Sequence, residues 1–415
     1  MTGREPRTET TAQPDGLWAG PAGAALLHIE RAHRGTATWH EVHARVIAAT
    51  TGPVAADPAA SMARGAPALA FTMSCARLAA YQPALARLDL YVTAITRHCL
   101  ERAHHRITSG QLPELREYDL IRGLTGLGAY FLHRHPSGPV LQDILRYLVR
   151  LTGPVPTEGG KVRPGWWSPN GPSDLPSLAW PGGHANHGIA HGITGPLALL
   201  AAAARRGITV PGWQQAIECI CDWLCRWQQG TSTCPWWPEM ISTAELRADR
   251  AQQDSPGRPS WCYGTPGIAR ALQSAAIATG DHRLRQTAEQ GLVTCIADQT
   301  QLNRFTDASL CHGWAGLLHS ARCGSADAVD PERFDLALLE RELHNFLSMH
   351  GMPYPKGLLT GSTGIQLVAE PGGHDALPTS AWDQCLLTGA TPADPDTAAY
   401  RVLTVSEGVT SGPIL

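Results

Sequence analysis

The sequence predicts an all-α fold, an α/α toroid of about seven GxxG-containing helical hairpin repeats. Three observations predict it. Glycine pairs recur with GxxG spacing, each pair opens into a small and apolar stretch, and amphipathic helical stripes lie between the pairs. The pairs are Gly20/Gly23, Gly123/Gly126, Gly192/Gly195, Gly264/Gly267, Gly313/Gly316 and Gly361/Gly364, with a degenerate copy at Gly65-Ala66-Pro67-Ala68. In a chain with 42 glycines the pairs alone decide little, and the context carries the argument. Gly23 runs into Ala24-Ala25-Leu26-Leu27, Gly195 into Pro196-Leu197-Ala198-Leu199, and Gly267 into Ile268-Ala269. A loop whose glycines let backbones approach closely, opening into an apolar helix, fits each phrase. The copies start 45, 58, 69, 72, 49 and 48 residues apart, a variation that a linear helical solenoid rarely shows.

The elements follow in chain order. Met1 to Pro14 is polar, without the apolar core of a secretion signal, and reads as a disordered tail over residues 1–14. Only 19 residues precede the first GxxG, so the outer helix expected before it is missing or supplied differently. The second copy has lost its second glycine. Wide gaps between copies two and five leave room for inserted loops, such as the Gly/Pro/Trp-rich stretch from Gly153 to Gly183. Trp213, Ile217, Ile220, Leu224 and Trp227 form a helical stripe. Asp330-Pro331 supplies an N-cap and a proline for the first helical position, ahead of Leu336, Leu339, Leu343 and Phe346. The toroid domain is expected over residues 15–390, followed by a flexible tail over 391–415.

Composition excludes several classes. The 415 residues are 43% hydrophobic and 17% charged, with a net charge of −3 and no basic block, which argues against nucleic acid. No apolar run reaches the roughly 18 residues of a membrane span. A cytoplasmic protein with reduced thiols follows. The eleven cysteines, an odd number scattered over the chain, suit core thiols and a metal site better than a disulfide framework.

The chemistry concentrates on copies four to six. The fifth reads Ser260-Trp261-Cys262-Tyr263-Gly264-Thr265-Pro266-Gly267, and the sixth Leu310-Cys311-His312-Gly313-Trp314-Ala315-Gly316. Repeat symmetry brings both loops to one end of the toroid. Cys262, Cys311 and His312 then make two thiolates and an imidazole, the ligand number and softness of a catalytic zinc with an open fourth position. Buried cysteines in a core are the competing reading.

These motifs, with Asn186-His187-Gly188-Ile189-Ala190-His191-Gly192 in the fourth copy, closely resemble the lanthionine synthetase C family over about residues 15 to 390. The resemblance implies Zn²⁺ held by Cys262, Cys311 and His312, with the open position taking a substrate cysteine. That thiol would add to dehydroalanine or dehydrobutyrine, forming lanthionine or methyllanthionine rings in a lantibiotic precursor. It further implies His191 as acid/base, Arg258 to steady an enolate oxygen, and Asp119 to orient either His191 or Arg258. Implied partners are a dehydrated precursor peptide with its leader, and a dehydratase and exporter of the same pathway. The location would be cytoplasmic, or peripheral at the membrane within a biosynthetic complex. Glutathione addition to dehydrated protein residues, and a non-catalytic zinc-stabilised scaffold, are the competing functions.

Other candidates have plainer readings. His187 and His191 have i, i+4 spacing but lack the glutamate of a metalloprotease helix, and His184 and His187 read as structural. On a helix Cys219 lies opposite Cys221 and Cys225, so these read as packing cysteines. Trp166, Trp167, Trp180, Trp236 and Trp237 either line a peptide groove or anchor their loops.

Overall fold

The computed structural model describes residues 16–157, 160–370 and 377–389. The two expected tails, 1–14 and 391–415, lie outside the described residues. Each GxxG loop opens into an inner helix: α1 (Pro21–His33), α3 (Ala66–Ala76), α6 (Leu124–Arg134), α8 (Thr194–Ala204), α11 (Thr265–Thr279), α14 (Trp314–Ala326) and α16 (Ser362–Ala369). The first six are followed by outer helices: α2 (Trp39–Ala49), α4 (Gln82–Thr108), α7 (Pro139–Leu151), α9 (Trp213–Arg226), α12 (His282–Ala297) and α15 (Leu336–His350). Among the described residues, three one-turn or two-turn pieces complete the α-helices: α5 (Leu115–Tyr118), α10 (Thr243–Ala248) and α13 (Gln299–Leu302). Each inner helix packs on the next, and α16 packs back on α1, which closes the ring. Helix α1 packs on the outer helix α2 that follows it.

The two layers differ in composition because they differ in surroundings. All eleven residues of α3 are buried, as expected for a helix enclosed on every side. Helix α9 buries only one stripe, with Ile217, Ile220 and Leu224 as the sequence predicts. One boundary differs from expectation. Pro331–Arg333 is a separate 3-10 turn, and α15 starts at Leu336 with the Asp335 side chain accepting from Leu338 N–H. Phe334 is extended, so the chain cannot run helically from Asp330.

The long insertions carry six short strands: β1 (Val155–Thr157), β2 (Lys161–Arg163), β3 (His184–Asn186), β4 (Gln229–Thr231), β5 (Cys234–Trp236) and β6 (Met240–Ser242). They pair as three antiparallel ribbons, β1 with β2, β3 with β6 and β4 with β5.

The GxxG loops, numbered one to seven here, are joined end to end by backbone hydrogen bonds. Leu120 N–H donates to Ala190 C=O at 3.0 Å, Ala190 to Cys262 at 3.4 Å, and Cys262 to Cys311 at 3.1 Å. Cys311 donates to Leu359 at 2.9 Å, Leu359 to Trp18 at 3.0 Å, and Leu17 to Ala63 at 3.1 Å. The second glycine has a specific steric cause. A Cβ at Gly23, Gly126, Gly195, Gly267, Gly316 or Gly364 would overlap the carbonyl oxygen of the residue six positions earlier. Loop two escapes this requirement. Its Gly65 has φ +85°, whereas Gly20, Gly123, Gly264, Gly313 and Gly361 lie between −134° and −87°. The backbone therefore enters α3 differently and accommodates Ala68.

At the opposite end, the last described segment packs against the inner helices. Glu30 accepts from the N–H groups of Thr379 at 3.0 Å and Ser380 at 2.8 Å. His133 Nδ1 lies 3.0 Å from Gln384 Oε1, within the 3-10 turn Trp382–Leu386.

Candidate metal centre and acid-base pair

The loop ring explains why two cysteines 49 positions apart in sequence become neighbours. Both stand two residues before the first glycine of their loops, and equivalent positions of adjacent loops are hydrogen-bonded. The ligand atoms of Cys262, Cys311 and His312 all lie within 4.8 Å of one another. Ser260 Oγ approaches Cys262 Sγ at 3.6 Å. His312 Nε2 is 3.1 Å from Asp307 Oδ2, and Asp307 Oδ1 accepts from Ser309 N–H at 2.7 Å. Nδ1 of His312 is thereby left for a metal, with its ring oriented by a carboxylate as metal-bound histidines usually are.

The electrostatics are those of a site that exchanges protons for a cation. A hydrogen bond from Cys311 pulls the Cys262 thiol below its ordinary range against the cost of burial, and His312 adds to the pull. Cys311 is held above the ordinary range by donating to Cys262 and by burial. The Asp307 hydrogen bond, with help from Cys262, raises His312 to about 9. Burial opposes ionisation of Asp307, yet the bond from His312 brings its carboxyl down to about 2. Two sulfurs, one on a thiol made more acidic by its neighbours, and an imidazole fit a three-ligand zinc site. Cation binding would displace the Cys311 and His312 protons.

His191 and Asp119 meet across loops three and four. His191 Nδ1 lies 2.6 Å from Asp119 Oδ2. Asp119 is fully buried, and its other oxygen accepts from the N–H groups of Arg122 at 2.6 Å and Gly123 at 2.8 Å. Four positions before the first glycine of loop three, it is fixed by the turn that starts α6. Of the two partners the sequence offered Asp119, the structure joins it to His191. With Nδ1–H engaged, His191 keeps Nε2 for chemistry, and its side chain is 27% exposed. The ring lies 6.2 Å from that of Tyr263, the neighbour of Cys262, between ring centroids. Ala190 is bonded directly to Cys262, which sets the acid-base pair beside the thiols.

Arg258 approaches the same mouth. Its charge acts on both Cys311 and Glu239, whose carboxyl is raised by burial and by Cys262. The buried Nε of Arg258 has no hydrogen-bond partner in the protein. Glu239 and Asp307 carry no repeat or motif signal in the sequence. Both reach the site through loop folding alone.

The remaining candidates are structural. His187 gives Nδ1 to Pro238 C=O at 2.9 Å and takes Trp223 Nε1–H on Nε2 at 2.9 Å, so both nitrogens are used. His184 Nδ1 lies 2.9 Å from Asn170 C=O. Cys221 is buried as a packing cysteine should be, but Cys219 and Cys225 are exposed on α9, which corrects the packing reading for those two. Trp166, Trp167, Trp236 and Trp237 are buried anchors, whereas Trp180 is half-buried at a cavity.

The fold and site together define a closed helical toroid with a thiolate-imidazole centre at one mouth. The family model for lanthionine synthetase C-like proteins matches residues 11–371, and the chain belongs to that family. It is 24% identical over 278 residues to the nisin biosynthesis protein NisC of Lactococcus lactis subsp. lactis, covering 65% of this chain. The match spans 64% of that relative's length. Among solved structures, a nisin cyclase superimposes with a TM-score of 0.74 at 21% identity, over 92% of this chain and 94% of that one. This likeness shows the toroid fold. No helix of the described residues is long and apolar enough to cross a membrane.

Proposed function

We propose that this chain is a zinc-dependent lanthionine cyclase, built as one toroid domain over residues 15–390. It joins cysteine thiols of a peptide to dehydroalanine and dehydrobutyrine residues of the same peptide. The observation that carries the reading is the pairing of two distinct devices at one mouth: a Cys262, Cys311 and His312 ligand set, and a carboxylate-backed His191 one loop away. A scaffold would need the first but not the second.

Zinc, when bound, would lower the pKa of a substrate thiol into the neutral range. The chain's own residues do the rest. Asp119 holds the Nδ1–H of His191 and so presents Nε2 to the substrate. The thiol sulfur forms the new bond to the β-carbon while the carbon–carbon π pair moves toward the carbonyl as an enolate. The thiol proton passes to His191 Nε2 and from there to the α-carbon, so the addition is proton-neutral overall. The unpaired donor of Arg258 suits the enolate oxygen. A cavity of about 660 Å³ lined by Trp180, Glu239 and Met240 offers the peptide a place to lie.

The relative's role in nisin biosynthesis supports peptide ring formation over glutathione addition. Its partners would be a dehydrated precursor with its leader, and the pathway's dehydratase and exporter, at a cytoplasmic or peripheral membrane location. The test offers a dehydrated, cysteine-containing peptide and counts thiols left for an alkylating reagent. Wild type leaves none. His191→Ala keeps its zinc and slows ring closure by about 10²–10⁴-fold. Ring closure at the normal rate in that variant would overturn the role of His191, and glutathione consumption without ring closure would favour the competing activity.

A further inference from the structure

Among the described residues, two groups bring three metal-capable side chains within 4.8 Å of one another. One is the mouth site. The other is His319, Cys323 and Asp383, which the proposed reaction does not use. His319 and Cys323 lie one turn apart on α14, roughly 8 and 14 Å along the helix from Trp314 at the mouth. Asp383 comes from the 3-10 turn Trp382–Leu386 that packs at the other end of the toroid. All three are buried, at 5%, 0% and 4% exposure.

The Asp383 distance suits a shared ion better than a direct hydrogen bond, and the Cys323 distance suits a thiol hydrogen bond and a shared ion alike. Cys323 Sγ is 3.6 Å and Asp383 Oδ2 3.5 Å from the same atom, His319 Nε2. A hydrogen bond from the imidazole to the carboxylate should span about 2.7–3.2 Å. Zinc bonded to sulfur at about 2.3 Å and to nitrogen and oxygen at about 2.0–2.2 Å gives tetrahedral edges of about 3.4–3.6 Å. Both observed separations fall on or near those edges. A thiolate and a carboxylate neutralise a dication, which removes the cost of leaving either charge alone in a dry interior. A cavity of about 20 Å³ lined by His319, Cys323 and Trp382 has room for one water as the fourth ligand.

We propose that His319, Cys323 and Asp383 form a second zinc site, structural in role, that clips the C-terminal segment to inner helix α14. The site ties residues 60 positions apart in sequence across the end of the toroid remote from the mouth. It is independent of the cyclase reading.

Metal counting on the intact chain tests it. Wild type should hold two zinc ions, Cys311→Ala one, Cys323→Ser one, and the double variant none. Cobalt(II) offered to Cys311→Ala should give sulfur-to-metal charge-transfer absorption that Cys323→Ser abolishes. If Cys323→Ser does not fold, the count on folded Cys311→Ala decides alone, with one ion supporting the clip and none overturning it. One ion in wild type that is lost in Cys311→Ala overturns the clip and leaves the mouth site standing. One ion retained in Cys311→Ala but lost in Cys323→Ser supports the clip and removes the metal from the proposed active site.

Discussion

In loops four, five and six the residue before the first glycine is His191, Tyr263 or His312; in loops seven, one and two it is Thr360, Ala19 or Arg64. One position earlier, loops five and six carry Cys262 and Cys311, while loops seven and one carry Leu359 and Trp18. The backbone bonds joining these loops run on through both halves of the ring. The contrast teaches that the repeat supplies geometry and leaves chemistry to two side-chain positions. Ligating residues there in adjacent loops, as in five and six, become a site, because the neighbouring loop is held at bonding distance. Leu359 and Trp18, at the position of the two cysteines, are core.

The sharpest way to break this comparison is to substitute the same position in both halves. Cys311→Ala should abolish zinc retention at the mouth and ring closure together. Leu359→Ala, one loop further on and buried, should leave mouth zinc and ring closure intact while costing about 2–5 kcal/mol of stability. Loss of mouth zinc in a folded Leu359→Ala chain, measured by metal content beside a thermal melt, would contradict the separation of geometry from chemistry.

Asp307 tests whether a ligand needs its backing group. Asp307→Asn keeps the size but loses the charge that orients His312, so zinc affinity at the mouth should fall by about 10–100-fold. Competition with a chromogenic chelator would measure it, and an unchanged affinity would make Asp307 a bystander.

The glycines probe the shared backbone. Gly267→Ala places a methyl against Trp261 C=O and should cost about 1–3 kcal/mol. Gly52→Ala, with nothing within 4 Å of the added carbon, should show no steric penalty. Denaturant midpoints compare the two, and equal values would mean that the close approach at loop five is not a constraint.

The smallest effect contrasts the two histidines of loop four. His191 is partly open to solvent, whereas burial lowers His187 to about 4 from 6.5. Above 6.5 His187 is neutral in both folded and unfolded chains and contributes no pH dependence. Between 6.5 and about 4 only the unfolded chain takes up its proton, so stability falls as pH falls, by on the order of 2 kcal/mol at pH 5. His187→Gln should flatten that part of the stability profile, and an unaltered slope would assign the acid sensitivity elsewhere.

Much of this was legible in the chain itself. Glycine spacing and apolar periodicity are local properties, imposed by a carbonyl that leaves no room for a Cβ and by helices enclosed on all sides. They predicted the toroid and, through loop register, the meeting of Cys262, Cys311 and His312. The family resemblance singled out His191, Arg258 and Asp119. Other features depended on packing between distant segments. That Asp119 backs His191, that Asp307 backs His312, and that Glu239 faces Arg258 follow from how separate loops fold onto one mouth. The ribbons β1 to β6 are too short to show alternation in sequence. Asp383 reaches α14 only because the C-terminal segment crosses the far end of the ring. A repeat writes its own geometry into sequence at every copy. The partner of a single buried charge appears once, and only the folded chain decides which one it is.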